Sequence, residues 1–554
     1  MSSAFPLQGR GFDVLVVGGG INGVAIAREC ARREKRVLLV EQNDFASGTT
    51  SRSTRIIHGG LRYLEQFEFD LVRESLRERE RLLSQSPHLI RPMQFLLVLP
   101  QKGRTLLRSS LAIRTGLWLY NRWAGGKRNA FGGVEMVERQ LDAGRHWSIY
   151  SYEDAQCEFP ERLVAEWLAE AMSAGAVVRN HTTALEITRS NGRVTGARLR
   201  DRISGQEYTV SAMQVVNAGG PWADGIATSA GIKHERMIGG VRGSHLVLPK
   251  FPNAPEYPIY TEAADGRQIF VLPWNRQILV GTTEIFDSGL ADSVQPSPDE
   301  VAYLFDNFSR LLPNSGLTAA DIRYSFAGIR PLPYEPGKKY SAITRRHVLY
   351  DHAADGAAGL ISVIGGKLTT AAGLARDVGR KLGIDIPQPV NVLAALVGDG
   401  SVESIVRQWA HAVATKARIP EGCAHGIAEW HGRHALAIAH AASLDERLRE
   451  PICEHTCHIV AEAVEAVAHE SAITLGDILL RRVPVALGSC WCMECSREAA
   501  QKIGAALGWD QSRIGQELEA FEEERNKFLH PASNASTTEA LRHGEKKALT
   551  TDLH

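Results

Sequence analysis

The sequence predicts an α/β protein with three parts: a nucleotide-binding domain built on a parallel sheet, a domain built on an antiparallel sheet, and a helical C-terminal domain. Residues 12–41 give a strand, a glycine-rich turn, a helix and a second strand in direct succession. Strand-like runs dominate residues 235–335, whereas alanine-rich segments with helical apolar spacing follow residue 394.

The stretch 12–41, FDVLVVGGGINGVAIARECARREKRVLLVE, has the order of a βαβ dinucleotide site. Gly18 permits a tight turn, Gly20 lets the backbone approach a pyrophosphate, and Gly23 lets the helix pack close to the strand. Glu41 ends the second strand, where a carboxylate would accept hydrogen bonds from a ribose. The alternative is a set of glycines that serves only an ordinary tight turn.

Two later segments return to the nucleotide-binding sheet. One apolar strand ends in Gly219 and Gly220, and a second, within residues 359–370 (GLISVIGGKLTT), runs into glycines and hydroxyl residues before a helix. The chain has one G-x-G-x-x-G fingerprint, and later segments that are well separated in sequence rejoin the same sheet. Because a long cofactor must be contacted by several segments, this pattern favours FAD over NAD.

Local apolar spacing also predicts individual elements and boundaries. We expect helices at 69–84, 162–174 and 371–382, and strands at 244–248, 268–272 and 277–281. We predict a first region at 11–393, with FAD-binding segments at about 11–85, 150–225 and 340–385 and a substrate domain formed from the intervening segments, then a helical domain at 394–530 and a disordered tail at 531–554.

The totals exclude several classes of protein. Lysine plus arginine and aspartate plus glutamate both number 63, which argues against a nucleic-acid-binding protein dominated by phosphate contacts. We expect no transmembrane helix, because no apolar run reaches the ~18 residues that a bilayer requires, and the N-terminus lacks the layout of a signal peptide. Eight cysteines among 554 residues favour a reducing, cytoplasmic compartment over a disulfide framework.

Residues 101–128 form a basic segment without any acidic residue, in which lysine and arginine are interleaved with leucine, tryptophan and tyrosine. This mixture suits a segment that lies in the interface of an anionic membrane. It is equally typical of a helix that packs on its own domain and turns its arginines outward.

The C-terminal region holds a cluster of sulfur and imidazole ligands. Its members are Cys453, Cys457, Cys490, Cys492 and Cys495, with His455 and His458 adjacent. The spacing C-x-C-x-x-C could ligate zinc or an iron–sulfur cluster, but buried or free thiols in a helical domain are the alternative that we favour. We therefore predict no metal.

A further group of basic residues lies beside glycines and hydroxyls, and consists of Arg62, His245, Arg330, Arg345 and Lys367. An arginine fork matches the oxygens of a phosphate or carboxylate, so several that converge would bind a small anion. Each arginine taken alone is more typical of a surface ion pair. Sequence distance does not show whether these residues converge.

The motifs VVGGGINGVAIA, IIHGGLRYLE, NAGGPWAD, GIRPL, AITR and GGKLTT together resemble those of the FAD-dependent, respiratory glycerol-3-phosphate dehydrogenases, in the D-amino-acid-oxidase-like flavoprotein group. The resemblance covers residues 11–385 closely and continues more weakly through the helical domain. It implies an α/β FAD-binding Rossmann-like domain with an antiparallel-sheet substrate domain and an all-α C-terminal domain.

The resemblance also implies an activity: oxidation of sn-glycerol 3-phosphate to dihydroxyacetone phosphate, with hydride transfer from C2 to flavin N5 and electrons passed to a quinone. Segment 101–128 occupies the place of the family's membrane-associating surface, which implies a cytoplasmic enzyme that is peripheral on the inner face of the membrane. Another polyol phosphate as substrate, oxygen as acceptor, and a flavin-binding protein without turnover are the alternatives. The oligomeric state stays open, a homodimer included.

Residue roles follow from the same resemblance. The family's substrate-contacting positions match Arg62, Tyr63, Arg330 and Arg345. His245 is the first candidate for the base that takes the C2 hydroxyl proton. Arg330 and Lys367 would stabilise the developing alkoxide, and Arg62 and Arg345 would hold the phosphate.

From the motifs and the resemblance together we predict a set of cofactor-binding residues. They are Gly18, Gly20, Gly23, Glu41, Thr50, Ser51, His58, Gly219, Gly366, Lys367, Leu368 and Thr369. Four positions depart from the family pattern. Ala371 and Ala372 replace a Tyr-Arg pair, Glu284 replaces an aspartate, and Arg242 replaces a lysine. The first change removes a large polar pair beside the cofactor, and it bears on the substrate and the acceptor more than on the fold.

Overall fold

The computed structural model describes residues 7–61, 63, 68–100, 110–123, 134–286, 294–338, 342–387 and 402–531. The chain divides into two compact units. The first consists of residues 1–91, 155–240 and 330–524, and the second of residues 92–154, 241–329 and 525–554. The helical C-terminal segment therefore shares its unit with the nucleotide-binding strands.

The strands of the described residues are, in chain order, β1 (Gly11–Val17), β2 (Val37–Val40), β3 (Ile56–Ile57), β4 (Ile90–Pro100), β5 (Trp147–Cys157), β6 (Val177–Arg179), β7 (Thr182–Ser190), β8 (Arg193–Asp201), β9 (Glu207–Asn217), β10 (Ile238–Pro249), β11 (Ile259–Glu262), β12 (Gln268–Trp274), β13 (Gln277–Gly281), β14 (Ile285–Phe286), β15 (Tyr324–Pro333), β16 (Val348–Asp351), β17 (Leu360–Ile364) and β18 (His530–Pro531).

The α-helices are α1 (Ile21–Ala31), α2 (Phe69–Gln85), α3 (Ser110–Trp123), α4 (Val134–Glu138), α5 (Pro160–Ser173), α6 (Ala223–Thr228), α7 (Pro298–Leu311), α8 (Ala371–Lys381), α9 (Val402–Ala417), α10 (Glu421–His431), α11 (Ala435–Leu444), α12 (Val460–His469), α13 (Met493–Leu507) and α14 (Gln511–Phe528). A short helical turn at Leu475–Asp477 continues as a π-helix through Ile478–Arg482. Within the described ranges, no helix is both long and apolar enough to cross a membrane.

The sheet of the first unit has the strand order β16-β17-β9-β1-β2-β6, and β7 and β8 extend from β9. Strands β17, β9, β1, β2 and β6 run parallel to one another, whereas β16 pairs antiparallel with β17 and β8 pairs antiparallel with β9. From β1 the chain moves to β2 on one side, whereas β9 pairs on the other side of β1. The carboxyl ends of β1, β2, β9 and β17 therefore meet at one edge, where the strand order reverses and ligands of such sheets bind.

Helix α1 lies against the parallel sheet, between α5 and α8. Its buried residues are mostly small, and include Gly23, Ala25, Ala27 and Ala31. Small side chains let a helix approach a strand and its neighbouring helices closely, so this composition explains why three helices can pack on the same face.

The second unit is built around a mostly antiparallel sheet with the order β18-β15-β10-β13-β12-β11-β4-β5, in which β11 pairs parallel with β4. A core that includes Leu246, Ile278 and Phe308 covers one face and holds helix α7 against the sheet. The fold class that the sequence predicts, parallel nucleotide-binding sheet, antiparallel sheet and helical C-terminal region, is therefore confirmed. The predicted tail lies outside the described residues from position 532 onward.

Candidate active site

The glycine turn after β1 adopts a backbone that only glycine accommodates. Gly18 has φ +109°, and a Cβ on it would lie 2.5 Å from the carbonyl oxygen of Ala218. A Cβ on Gly23 would lie 1.8 Å from the carbonyl oxygen of Gly18, so the helix approaches the turn as closely as the fingerprint predicts. Gly20 is the residue that caps α1, whose amides and dipole face the carboxyl edge of the sheet.

Glu41 lies at the end of β2, as expected, but its carboxylate binds the glycine turn. One oxygen accepts the N–H of Gly19 at 2.7 Å and the other accepts the N–H of Asn43 at 2.9 Å. Burial raises the pKa of Glu41 even though both hydrogen bonds oppose that shift. The carboxylate therefore fixes the turn, and its hydrogen bond to a ribose stays a prediction.

The polar loop after β2 is held in place by buried contacts, which distinguishes it from an ordinary surface loop. The Thr50 hydroxyl accepts the N–H of Ile21 at 3.1 Å, and the Ser51 hydroxyl donates to the carbonyl of Ala46 at 2.6 Å. Arg55 forms a bidentate ion pair with Glu161, both bonds 2.9 Å long, and both side chains are almost fully buried.

The segment after β17 closes on the same edge of the sheet. Gly365 and Gly366 have φ +76° and +93°, and a Cβ on Gly366 would lie 2.5 Å from the side-chain amide of Asn22. That amide donates to the carbonyl of Gly365 at 3.2 Å. The hydroxyl of Thr369 accepts the N–H of His58 at 3.2 Å, so the loop after β3 and the glycine segment are joined.

These contacts fit a bound dinucleotide. Four separated segments, which follow β1, β2, β9 and β17, end at one edge of the sheet and present glycine backbone there. Gly219 follows β9 and donates its N–H to Asn217 at 3.2 Å. Asn22, in the first turn of α1, buries its side-chain oxygen with no hydrogen-bond partner among the described residues. Leu368 packs on the core of this unit.

A cationic cluster lies beside the glycine segment. The Lys367 ammonium lies 4.1 Å from the ring centroid of Tyr63, and the ring of His58 lies 6.3 Å from the same Tyr63 ring. Gly60, with φ +80°, makes this possible, because a Cβ there would lie 2.0 Å from the Tyr63 ring. In the part of the chain that the structure describes, the Lys367 ammonium has no hydrogen-bond acceptor.

Burial is the largest cause of the pKa shifts in this cluster. It lowers the pKa of Lys367 to about 7; the carboxylates of Glu74 and Glu68 oppose this shift, and the guanidinium of Arg345 strengthens it. Burial, and then the charge of Lys367, lower the pKa of His58 to about 3. Near neutral pH the cluster therefore contains a neutral imidazole and a lysine whose charge an anionic ligand would stabilise.

The other residues that we predict to bind the substrate differ in how near they lie to this cluster. Arg345 lies close enough for its charge to act on Lys367, and is partly buried. Arg330 lies in β15 and is partly buried. Arg62 lies outside the described residues. The structure thus brings Tyr63, Lys367 and the charge of Arg345 together.

His245 lies in β10 of the second unit and is buried. It pairs with Gly281 of β13, and a Cβ on that glycine would lie 2.2 Å from the imidazole. On the other side its ring stacks on Phe326, with centroids 5.0 Å apart. The glycine and the phenylalanine together fix the position of this ring.

A buried carboxylate that the sequence did not single out organises the strand that carries His245. Glu300 accepts the hydroxyls of Ser244 at 2.8 Å and Thr283 at 2.6 Å, and pairs with Arg242 at 3.0 Å. It also completes the capping box of α7 with Ser297. The S-x-x-E spacing of that capping box was the available sequence signal, although it gives no hint of the contacts to β10.

Comparison with known proteins agrees with this geometry. A family profile described as FAD dependent oxidoreductase matches residues 13–378, and one described as C-terminal domain of alpha-glycerophosphate oxidase matches residues 394–514. A glycerol-3-phosphate dehydrogenase of Synechocystis is 37% identical over 550 residues, which cover 94% of this chain and 97% of that protein. The chain belongs to the FAD-dependent glycerol-3-phosphate dehydrogenase and oxidase family.

Further relatives of the family extend the match. An aerobic glycerol-3-phosphate dehydrogenase of Staphylococcus aureus is 31% identical over 503 residues, covering 86% of this chain and 87% of that protein. The solved structure of a Bacillus halodurans glycerol-3-phosphate dehydrogenase complexed with FAD shares the fold, with a TM-score of 0.73 at 24% identity, covering 94% of this chain and 96% of that one. The prediction of FAD as the cofactor is confirmed.

Proposed function

We propose that the protein oxidises sn-glycerol 3-phosphate to dihydroxyacetone phosphate and passes the electrons to a membrane quinone. The assignment of the substrate rests on the position of the Lys367 ammonium, which lies 4.1 Å from the centroid of the Tyr63 ring. Lys367 belongs to the glycine segment at the cofactor edge of the sheet, and the charge of Arg345 acts on it. A partly buried cation without an acceptor among the described residues favours an anionic ligand. A phosphate monoester is such a ligand.

The chain's own residues have three tasks in this reaction. FAD, when bound, takes up the hydrogen and the electron pair that leave C2. Arg345 and Arg62 bind the phosphate and orient C2, while Lys367 and Arg330 stabilise charge that develops on the C2 oxygen. His245 accepts the hydroxyl proton, which must leave because the product is a ketone.

Substitution of His245 tests the assignment of the base. His245→Asn should retain bound flavin and lower kcat by about 10²-fold or more, because the asparagine side chain does not accept a proton. His146→Asn, at an exposed histidine of the same unit, is the matched control. Both are compared by steady-state kinetics and flavin absorbance, and a His245→Asn enzyme with normal turnover would remove His245 from this role.

A panel of polyol phosphates tests the substrate itself. Under anaerobic conditions sn-glycerol 3-phosphate should bleach the flavin fastest, ahead of tetritol and pentitol phosphates, whereas glycerol without phosphate should bleach it far more slowly. Equal rates with and without the phosphate would contradict the proposal. Arg345→Met should slow bleaching by the phosphate ester more than by free glycerol, because the lost guanidinium is one of the two assigned to the phosphate.

The proposal of a quinone acceptor rests on helix α3. Leu117 and Tyr120 are buried, and the Tyr120 hydroxyl donates to Asp154 at 2.7 Å. Arg114, Trp118 and Arg122, spaced four residues apart, are exposed, and Trp118 leaves 55% of its surface in solvent. An exposed Arg-Trp-Arg stripe on a packed helix matches an anionic bilayer surface, and we propose that the protein binds the cytoplasmic face there.

Flotation with vesicles tests this surface. Trp118→Ser should weaken binding to vesicles that contain phosphatidylglycerol by about fivefold to tenfold, because an indole no longer enters the interface. Ile203→Ser removes an apolar side chain of similar exposure, 58%, from the first unit and should leave binding unchanged. Equal vesicle binding of the Trp118→Ser protein and the unmodified protein would contradict a membrane role for α3.

Oxygen is the second candidate acceptor. The C-terminal match carries the description of an oxidase, and an L-alpha-glycerophosphate oxidase of Mycoplasma pneumoniae shares the fold, with a TM-score of 0.52 at 18% identity over 69% of this chain and 97% of that one. Reoxidation of substrate-reduced protein separates the two acceptors. Fast reoxidation by a soluble quinone and slow formation of hydrogen peroxide support the dehydrogenase, and the reverse order supports the oxidase.

A further inference from the structure

The helical region gathers a set of metal-binding side chains that the proposed reaction does not use. The ligand atoms of Cys453, His455 and Cys495 all lie within 4.8 Å of one another. The imidazole Nδ1 of His455 lies 3.3 Å from the sulfur of Cys495, and the sulfur of Cys492 lies 3.5 Å from that same sulfur. Cys453 and Cys495 are buried, and all four residues lie in the first unit.

The two shortest of these separations are close to those around one tetrahedral ion. With Zn–S of about 2.3 Å and Zn–N of about 2.0–2.1 Å, neighbouring ligand atoms lie roughly 3.5–3.8 Å apart. The distances from the Cys495 sulfur to His455 Nδ1 and to the Cys492 sulfur, 3.3 Å and 3.5 Å, lie close to that range. Three thiols and one imidazole are also the Cys₃His set that structural zinc sites use. All eight cysteines are free, so no disulfide competes for them.

A carboxylate lies near the far side of His455. Its other ring nitrogen, Nε2, lies 3.6 Å from the carboxylate of Glu454, which is longer than a hydrogen bond. A carboxylate that moves into hydrogen-bonding distance of that nitrogen would fix the ring and strengthen it as a ligand. The Glu454 N–H in turn donates to Glu498 at 3.1 Å, which ties the loop to helix α13.

The local chain explains how the ligands come together. Cys453 and His455 lie in a tight loop, which the N–H of Ile452 closes on the carbonyl of His458 at 2.8 Å. Cys492 is the residue before α13, and Cys495 lies in its first turn. The spacing C-x-H in the loop and C-x-x-C at the helix start therefore places one pair of ligands on each of two elements.

We propose that Cys453, His455, Cys492 and Cys495 bind a structural Zn²⁺ ion that fastens this loop to the start of α13. Next to the ligands, the ring of His458 stacks on Trp430 with centroids 3.7 Å apart and contacts Glu462 at 2.8 Å. The ion thus stiffens a loop that supports the packing of α10 and α12, far along the chain from the residues proposed for catalysis.

Metal analysis of the full-length FAD-loaded protein tests the site. Protein purified under reducing conditions from zinc-supplemented medium should contain about one Zn²⁺ per chain. Cys453→Ser and Cys495→Ser should each lower the zinc content by about tenfold. Cys457→Ser and Cys490→Ser, at two exposed cysteines outside the set, should keep it.

A second measurement uses only the unmodified protein, so it tests the site even if the cysteine variants fail to fold. A chelator should lower the thermal midpoint, Zn²⁺ should restore it, and Co²⁺ should give thiolate-to-metal absorption bands in its place. Absence of zinc together with no response to chelator or Zn²⁺ would overturn the proposal. Bound iron in place of zinc, or zinc that persists in both Cys453→Ser and Cys495→Ser, would overturn it as well.

Discussion

Lys367 shows how one partly buried residue can set the pH dependence of the reaction. Its pKa is lowered to about 7, first by burial and then by Arg345. The free enzyme therefore loses this positive charge as the pH rises through about 7, and kcat/KM for a phosphate substrate should fall on that side. Lys367→Arg should move the fall to higher pH, because a guanidinium stays charged.

The measurement is the pH profile of kcat/KM. Lys381→Arg is the matched control, since Lys381 lies on α8 shortly after the glycine segment and pairs at the surface with Asp351 at 3.0 Å. The control should keep the profile of the unmodified protein. An identical descending limb in the Lys367→Arg enzyme would show that another group sets it.

Sequence reasoning was strongest for residues whose role is local. Gly18 and Gly23 could be assigned from their spacing, since a tight turn and a close helix impose the same geometry in any chain. The contacts of Glu41 could not be assigned in this way. Whether its carboxylate binds a ribose or the Gly19 N–H depends on atoms that the spacing does not specify. The stacking of His245 between Gly281 and Phe326 joins strands that are distant in sequence.

At the scale of elements, Glu300 couples helix α7 to strand β10. One of its oxygens accepts the hydroxyls of Ser244 and Thr283, and the other accepts the N–H of Ser297 and pairs with Arg242. Both oxygens therefore face donors only. Glu300→Gln would turn an amide N–H₂ toward one pair of donors and should destabilise the protein by about 1–3 kcal/mol.

Thermal unfolding of the unmodified protein and of Glu300→Gln measures this loss of stability. Asp299→Asn is the control, because Asp299 lies in the same first turn of α7 but is exposed. Its cost should stay within about 0.5 kcal/mol. If Glu300→Gln unfolded at the same temperature as that control, the coupling between the helix and the strand would contribute nothing measurable.

The elements themselves were largely predictable. The helix expected at 69–84 is Phe69–Gln85, and the strand expected at 277–281 has those bounds. Apolar periodicity is a local property, so it survives in any tertiary context. The structure of the basic segment was harder to predict. Residues 110–123 form α3. Which face of this helix is buried depends on the contact of Tyr120 with Asp154, a partner that periodicity does not identify.

At the scale of the molecule, the helical region is joined to the nucleotide-binding region by buried ion pairs within the first unit. Arg482 binds Asp44 with bonds of 2.7 and 2.8 Å, and Arg162 binds Glu470 with bonds of 2.7 and 2.8 Å. Asp44 lies in the loop after β2, and its partner Arg482 lies 438 residues further along the chain. No sequence pattern connects such residues, which is why this junction was not foreseen.

The Arg162–Glu470 pair makes the junction sensitive to acid. Burial would raise the pKa of Glu470, but the Arg162 guanidinium outweighs it and lowers that pKa to about 2. A depressed carboxyl pKa contributes stability above the unfolded value, near 4.3, and loses it as the pH falls toward about 2. Glu470→Gln should thus cost on the order of 3 kcal/mol at neutral pH, because it also leaves Arg162 buried without a charge partner.

The distinctive outcome is how that cost changes with pH. Between neutral pH and about 4.5 the difference between the unmodified protein and Glu470→Gln should stay constant, and below that it should shrink as Glu470 takes up its proton. Urea unfolding followed by circular dichroism at several pH values measures it. Glu446→Gln, at a side chain with 88% of its surface exposed, should show little difference at any pH. A Glu470→Gln cost that did not shrink in acid would mean that packing of the side chain, and not its charge, holds the two regions together.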